Sequence, residues 1–73
     1  MQHIDFELRG EFVELCNLLK LTGIADSGGA GKALVASGEV RLDGQRETRK
    51  TAKIRAGQQV ECRGVRIHVR AAS

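Results

Sequence analysis

Seventy-three residues, 41% apolar and 29% charged, suit one soluble-type domain and leave no room for a deep substrate cleft beside its own core. No apolar run approaches the roughly 20 residues of a membrane span, and the charged start is no secretory leader, so a cytoplasmic location is expected. The formal net charge of +3 conceals an asymmetry: residues 1–40 carry three cations against six anions, residues 41–73 nine cations against three anions. Charge divided in this way becomes a basic face on a small fold, and nucleic acid is the commonest partner for such a face.

His3 to Leu8 alternates Ile4, Phe6 and Leu8 with Asp5 and Glu7, which predicts a strand with one wet face. After the Arg9-Gly10 turn, Glu11 to Leu21 is expected to be helical. Phe12, Leu15, Cys16 and Leu19 share its inner face, and Glu11 and Glu14 suit its first turn. Thr22-Gly23 stops that helix. A second begins at Ser27, a good N-cap, and ends at Gly38, where a left-handed residue is wanted. Glu39 to Leu42 alternates as a half-buried strand does, and Asp43-Gly44 is a strong two-residue hairpin signal. Asp43 is expected to serve the turn through backbone geometry. Further turns at Ala56-Gly57 and Arg63-Gly64 separate the last strands, with Val60 and Cys62 pointing inward and Val65 to Arg70 alternating.

The predicted order is β-α-α-β-β-β-β. Two helices and a small sheet must share one core, so the fold class is α+β: two packed helices on one side of a small, mainly antiparallel sheet. The first strand has an acidic outer face and the last a basic one. Cross-strand pairing would bring Asp5 and Glu7 beside Arg66, His68 or Arg70. The uncompensated cations then lie between Arg41 and Arg55.

The pattern Ser27-Gly28-x-x-Gly31-Lys32-x-Leu34-Val35-x-x-Gly38-x-Val40-x-Leu42-Asp43-Gly44 resembles the RNA-binding domain named after ribosomal protein S-four, the αL motif. Glu47-Thr48-Arg49-Lys50, Lys53-Ile54 and Gly57-Gln58 are similar to a narrower group, the small stand-alone bacterial proteins of the YbcJ type. The resemblance extends over residues 11 to about 70, with the motif core at about 11–62 of a single domain, 1–73. It implies a binder of structured RNA, often ribosome-linked, whose second helix and following hairpin face the RNA. Two positions depart from the family pattern. The arginine after the cap serine is Gly28 here, and the alanine at the helix crossing is Gly31, which keeps close approach at a cost of roughly 1 kcal/mol in helix propensity. Gly28, Gly29 and Gly31 serve either a phosphate approaching the helix start or tight helix packing.

The candidate RNA-binding residues are therefore Ser27, Gly28, Lys32, Arg41, Arg46, Thr48, Arg49, Lys50 and Lys53. Arginines suit bidentate phosphate contacts and threonines add short donors. Lys32 and the cations after the hairpin are expected to share one surface, because only the Gly38 turn and a short strand separate them. Gly31-Lys32 is no nucleotide P-loop: Asp26 stands where its first glycine belongs and Ala33 where its Ser or Thr belongs.

Cys16 and Cys62 lack metal-ligand spacing with each other or with His3 and His68, and are expected to be buried free thiols. No cofactor, metal or small-molecule substrate is expected. No nucleophile has a partner base at a recognisable spacing, so no enzymatic activity is expected either. With no Trp or Tyr, and with Phe6 and Phe12 on apolar faces, the chain offers no base-stacking ring and is expected to read backbone shape. The reading is a monomeric accessory protein on structured or double-stranded RNA, ribosomal RNA or its precursors. A protein-interaction module whose basic face docks an acidic partner is the alternative.

Overall fold

The computed structural model describes residues 1–72. Its elements are β1 (Gln2–Leu8), β2 (Val13–Glu14), α1 (Leu15–Leu21), α2 (Gly28–Ala36), β3 (Arg41–Leu42), β4 (Gln45–Arg46), β5 (Lys53–Ile54), β6 (Gln59–Cys62) and β7 (Val65–Ala71). Five strands form one sheet in the order β1-β7-β6-β3-β4; β2 and β5 form a separate two-stranded ladder. Only β1 and β7 run parallel, so the α+β class with a mainly antiparallel sheet stands.

The expected strand order needs one correction: β2 and β5 are added, each two residues long. Glu11 to Glu14 is not helical. Val13 pairs with Ile54 and Glu14 with Lys53, holding the backbone extended up to Glu14, which becomes the N-cap of a seven-residue α1. A tertiary pairing some forty positions away here overrides a local helical pattern, and Phe12 and Val13 are themselves good strand residues. Glu11 and Glu14 therefore do not lie in the first helical turn, which contains no acidic residue.

The register of β1 on β7 places Asp5 opposite His68 and Glu7 opposite Arg70. Arg70 Nε donates to Asp5 Oδ1 at 2.9 Å, as the complementary outer faces led one to expect. That guanidinium holds the Asp5 carboxyl below its ordinary range. Arg66 turns instead to Glu61 on β6, donating from Nε at 2.9 Å. Both hairpin turns have positive φ at their two central residues: Asp43 (50°) with Gly44 (84°), and Arg63 (51°) with Gly64 (75°). That is the type I′ geometry demanded by a two-residue connection between twisted strands.

One core lies between helices and sheet. Leu15, Leu18 and Leu19 of α1, Val35 of α2, and Val40, Ile54, Val60 and Ile67 of the strands and their flanks are fully buried. Cys16 and Cys62 are buried free thiols. The helices cross at Gly31, where a Cβ would stand 2.5 Å from the backbone oxygen of Cys16. A β-branched side chain there overfills a contact made by backbone, which cannot swing aside. Gly31→Val is expected to lose about 2–3 kcal/mol of stability, lowering the thermal midpoint by more than about 10 °C. An unchanged midpoint would show that the helices separate without cost.

Candidate nucleic-acid interface

The basic segment after the second hairpin strand has little regular structure, so its position must come from elsewhere. It comes from α1. Glu14 provides no side-chain cap, which leaves the first N–H groups of that helix without partners of their own. Leu15 N–H donates to Ala52 O at 2.9 Å and Cys16 N–H to Lys50 O at 3.1 Å. The segment thus caps the helix with its own carbonyls. Ala52 is buried, while Arg49, Lys50, Thr51 and Lys53 stay exposed.

The turn leading into this segment is fixed by Glu47. Its N–H donates to Val40 O at 3.0 Å, and its carboxylate accepts from the Arg49 backbone N–H at 3.1 Å and from Arg49 Nη2 at 2.9 Å. The Glu47 side chain is 13% exposed and that of Arg49 is 76% exposed. The Arg49 side chain and backbone N–H hold the Glu47 carboxyl well below its ordinary 4.5, at about 2. This pairing of residues two apart in an irregular stretch has no sequence signature. It cancels part of the Arg49 charge, leaving the lysines as the unneutralised groups.

Lys32, Thr48, Arg49, Lys50, Thr51, Ala52 and Lys53 line one open concavity of about 750 Å³. Lys32 follows directly on Gly31, so the close crossing carries it toward the segment. The structure thus brings five of the candidate residues together: Lys32, Thr48, Arg49, Lys50 and Lys53. The others lie elsewhere. Arg41 and Arg46 face each other across the β3–β4 hairpin, and Arg41 also faces Glu61. Arg46 covers the α2 exit, its Nε 3.5 Å from where a Cβ on Gly38 would stand. Ser27 and Gly28 form the start of α2, where Ser27 Oγ accepts from the Ala30 N–H at 3.1 Å. A Cβ on Gly28 would meet nothing within 4 Å and one on Gly29 only the Ser27 Oγ at 3.8 Å. Only Gly31 is required by helix packing.

Phe12 calls for a second correction. Because residues 11–14 are not helical, its ring does not enter the core; the residue is 39% exposed, with Lys53 Nζ 5.0 Å from the ring centroid. Asp43 also does more than bend the chain, since its Oδ1 accepts from the Gln59 backbone N–H at 2.9 Å and fastens the hairpin to β6. His3 and His68, far apart in the chain, stack with Nδ1 and Nε2 2.8 Å apart.

A family model described as the S4 domain matches residues 6–70. The chain belongs to the S4-domain family. It is 51% identical over 57 residues to the "Putative RNA-binding protein YbcJ" of Escherichia coli K12, covering 78% of this chain and 81% of that one. It has the same identity and coverage with the "Uncharacterized protein YbcJ" of Shigella flexneri. The solution structure of Escherichia coli YbcJ, described as revealing an αL motif involved in RNA binding, superposes with a TM-score of 0.69 at 44% identity. The match covers 97% of this chain and 89% of that one.

The Glu47–Arg49 pair predicts a pH dependence. Folding lowers the Glu47 pKa, so its stabilisation is present in full above about pH 4.5 and fades as the pH falls toward 2. With Arg49 exposed, solvent screening limits it to about 1 kcal/mol. Chemical denaturation should find Glu47→Gln about 1 kcal/mol less stable than the parent near pH 6.5, with the difference shrinking below about pH 4.5 and nearly gone once the pH is at or below about 2. A gap that stays constant over this range would contradict the ionic account.

Proposed function

We propose that the protein binds structured RNA through phosphate contacts, using the concavity between α2 and residues 48–53. The observation that carries this reading is the cation set there: Lys32, Arg49, Lys50 and Lys53 surround one open depression with no carboxylate in its lining. Among the described residues Lys32, Lys50 and Lys53 are in no ion pair, whereas Arg63, Arg66 and Arg70 are each paired with an acid. The depression is open and lined mostly by cationic and hydroxyl side chains, which suits a phosphate backbone better than a small apolar ligand. The S4-domain family and the RNA-binding description of YbcJ point the same way.

In this reading Lys32 and Lys50 act as point charges on adjacent phosphates. Thr48 and Thr51 donate hydroxyl hydrogen bonds, and Arg49 remains oriented by Glu47 with its outer edge toward solvent. Ser27 and Gly28 lie one turn before Lys32, where the start of α2 extends the same cationic side. Arg41 and Arg46 form an outlying arm on the hairpin. The protein acts as a monomer, and its RNA is ribosomal RNA or a precursor of it, as the family resemblance implies. RNase-sensitive co-sedimentation with ribosomal particles tests that last point.

Affinity for an RNA hairpin should be largely electrostatic. With four or five phosphates neutralised, log affinity falls with log salt at a slope of roughly −3 to −4. A Lys32→Ala, Arg49→Ala, Lys50→Ala variant should keep its thermal midpoint within a few degrees, because exposed charges contribute only ~0–1 kcal/mol each, yet lose most of its affinity. Arg66→Ala, which removes an arginine already neutralised by Glu61, should lose much less. Equal losses in a filter-binding titration, or a salt slope near zero, would refute the assignment.

A further inference from the structure

Phe12 sits where the cationic concavity ends. It immediately precedes β2, whose pairing with β5 sets the ring beside Lys53 Nζ (5.0 Å to the centroid) and the Arg55 guanidinium (6.0 Å). Arg55 is itself held in place: Nη1 donates to Glu11 O at 3.4 Å and its backbone N–H to Gln58 Oε1 at 2.7 Å. Lys53 belongs to both places, lining the concavity on one side and reaching the ring on the other. Among the described residues Phe12 is the sole exposed phenylalanine, and the exposed His3 ring is already stacked on His68. A cation–π contact at such an exposed site is weak and does not require an apolar ring to remain in solvent.

We infer that Phe12 is the stacking platform for one unpaired nucleobase at the end of an RNA duplex bound in the concavity, with Lys53 and Arg55 taking the phosphates that flank that nucleotide. The inference rests on the proposal that the concavity faces RNA. It adds a ligand class: a duplex that ends in, or is interrupted by, an unpaired nucleotide. A phenylalanine ring has no hydrogen-bonding group, so the platform accepts any of the four bases. Charge sets the direction of the strand. On its other side Phe12 borders a groove lined by Glu7, Arg9 and Glu14 together with Leu21, where two carboxylates against one guanidinium offer a phosphate backbone less than the two cations beside the ring. The phosphates of that nucleotide therefore lie on the Lys53 and Arg55 side, continuous with the duplex site.

The test compares three RNA hairpins of identical stem: one blunt, one with a single 2-aminopurine nucleotide added at the 3′ end, and one with it at the 5′ end. The parent protein should bind one of the extended hairpins about five- to hundredfold more tightly than the blunt one, with quenching of the 2-aminopurine fluorescence as the base stacks. Phe12→Leu keeps an apolar side chain at a solvent-facing position. It should bind the blunt hairpin as the parent does while losing both the gain and the quenching, and Phe12→Trp should restore them. Blunt-hairpin binding without gain or quenching on either extension refutes the stacking platform and leaves the duplex site standing. The same holds if Phe12→Leu changes neither quantity, in which case the exposed ring and Leu21 are open to a protein partner instead. Failure of the parent to bind any of the three hairpins refutes both the platform and the proposal on which it rests.

Discussion

The backbone of one residue, Cys16, connects the parts of this molecule that matter for its surface. The Cys16 oxygen lies where α2 crosses, so close that position 31 has no space for a methyl group, and the Cys16 N–H is bound by the Lys50 carbonyl. Helix α1 thus holds α2 on one side and the basic segment on the other through backbone atoms of a single residue. Side chains can adjust to a neighbour, whereas backbone groups at the start of a helix cannot. Lys32, Lys50 and their neighbours inherit fixed positions from that constraint, although they belong to segments with little regular structure between them.

The distribution of charge follows a second rule. Acidic groups neutralise selected arginines: Asp5 takes Arg70, Glu61 takes Arg66, Glu39 takes Arg63 and Glu47 takes Arg49. The first three lie on or beside the sheet and consume much of the C-terminal positive charge. Exposed pairs of this kind add little stability. Their consequence is spatial, because among the described residues Lys32, Lys50 and Lys53 around the basic segment are left without an acid partner. Arg41 and Arg46 face each other on the hairpin, Arg41 with Glu61 on its other side.

Features whose chemistry is local were legible in the sequence. Ser27 caps, Gly38 ends its helix with a positive φ, and Asp43-Gly44 makes the expected turn, because each requirement is met within four residues. The neighbourhood of β1 and β7 was legible for a different reason, complementary charge on two alternating strands. The β2–β5 ladder was not. Two residues paired with two others forty positions away leave no periodic trace, and the helical spacing of Phe12, Leu15, Cys16 and Leu19 points the wrong way. The exposure of Phe12 follows directly from that miss. Within the candidate site, the short connection suggested that Lys32 would lie near the cations after the hairpin, but what gathers it with residues 48–53 is the bonding of that segment to α1. The Glu47–Arg49 pair, the separate position of Arg46 and the bond from Gln59 to Asp43 needed coordinates, since each depends on how irregular backbone is folded.

The most direct test of this account is amide hydrogen exchange at Leu15 and Cys16. Amides in the first turn of a helix ordinarily lack acceptors and exchange quickly. Bound to Ala52 O and Lys50 O, these two should instead exchange as slowly as the core amides of α1, at rates set by global unfolding. Rapid exchange at both, with the rest of α1 protected, would mean that the basic segment detaches freely from the helix. The cationic surface would then have no fixed geometry.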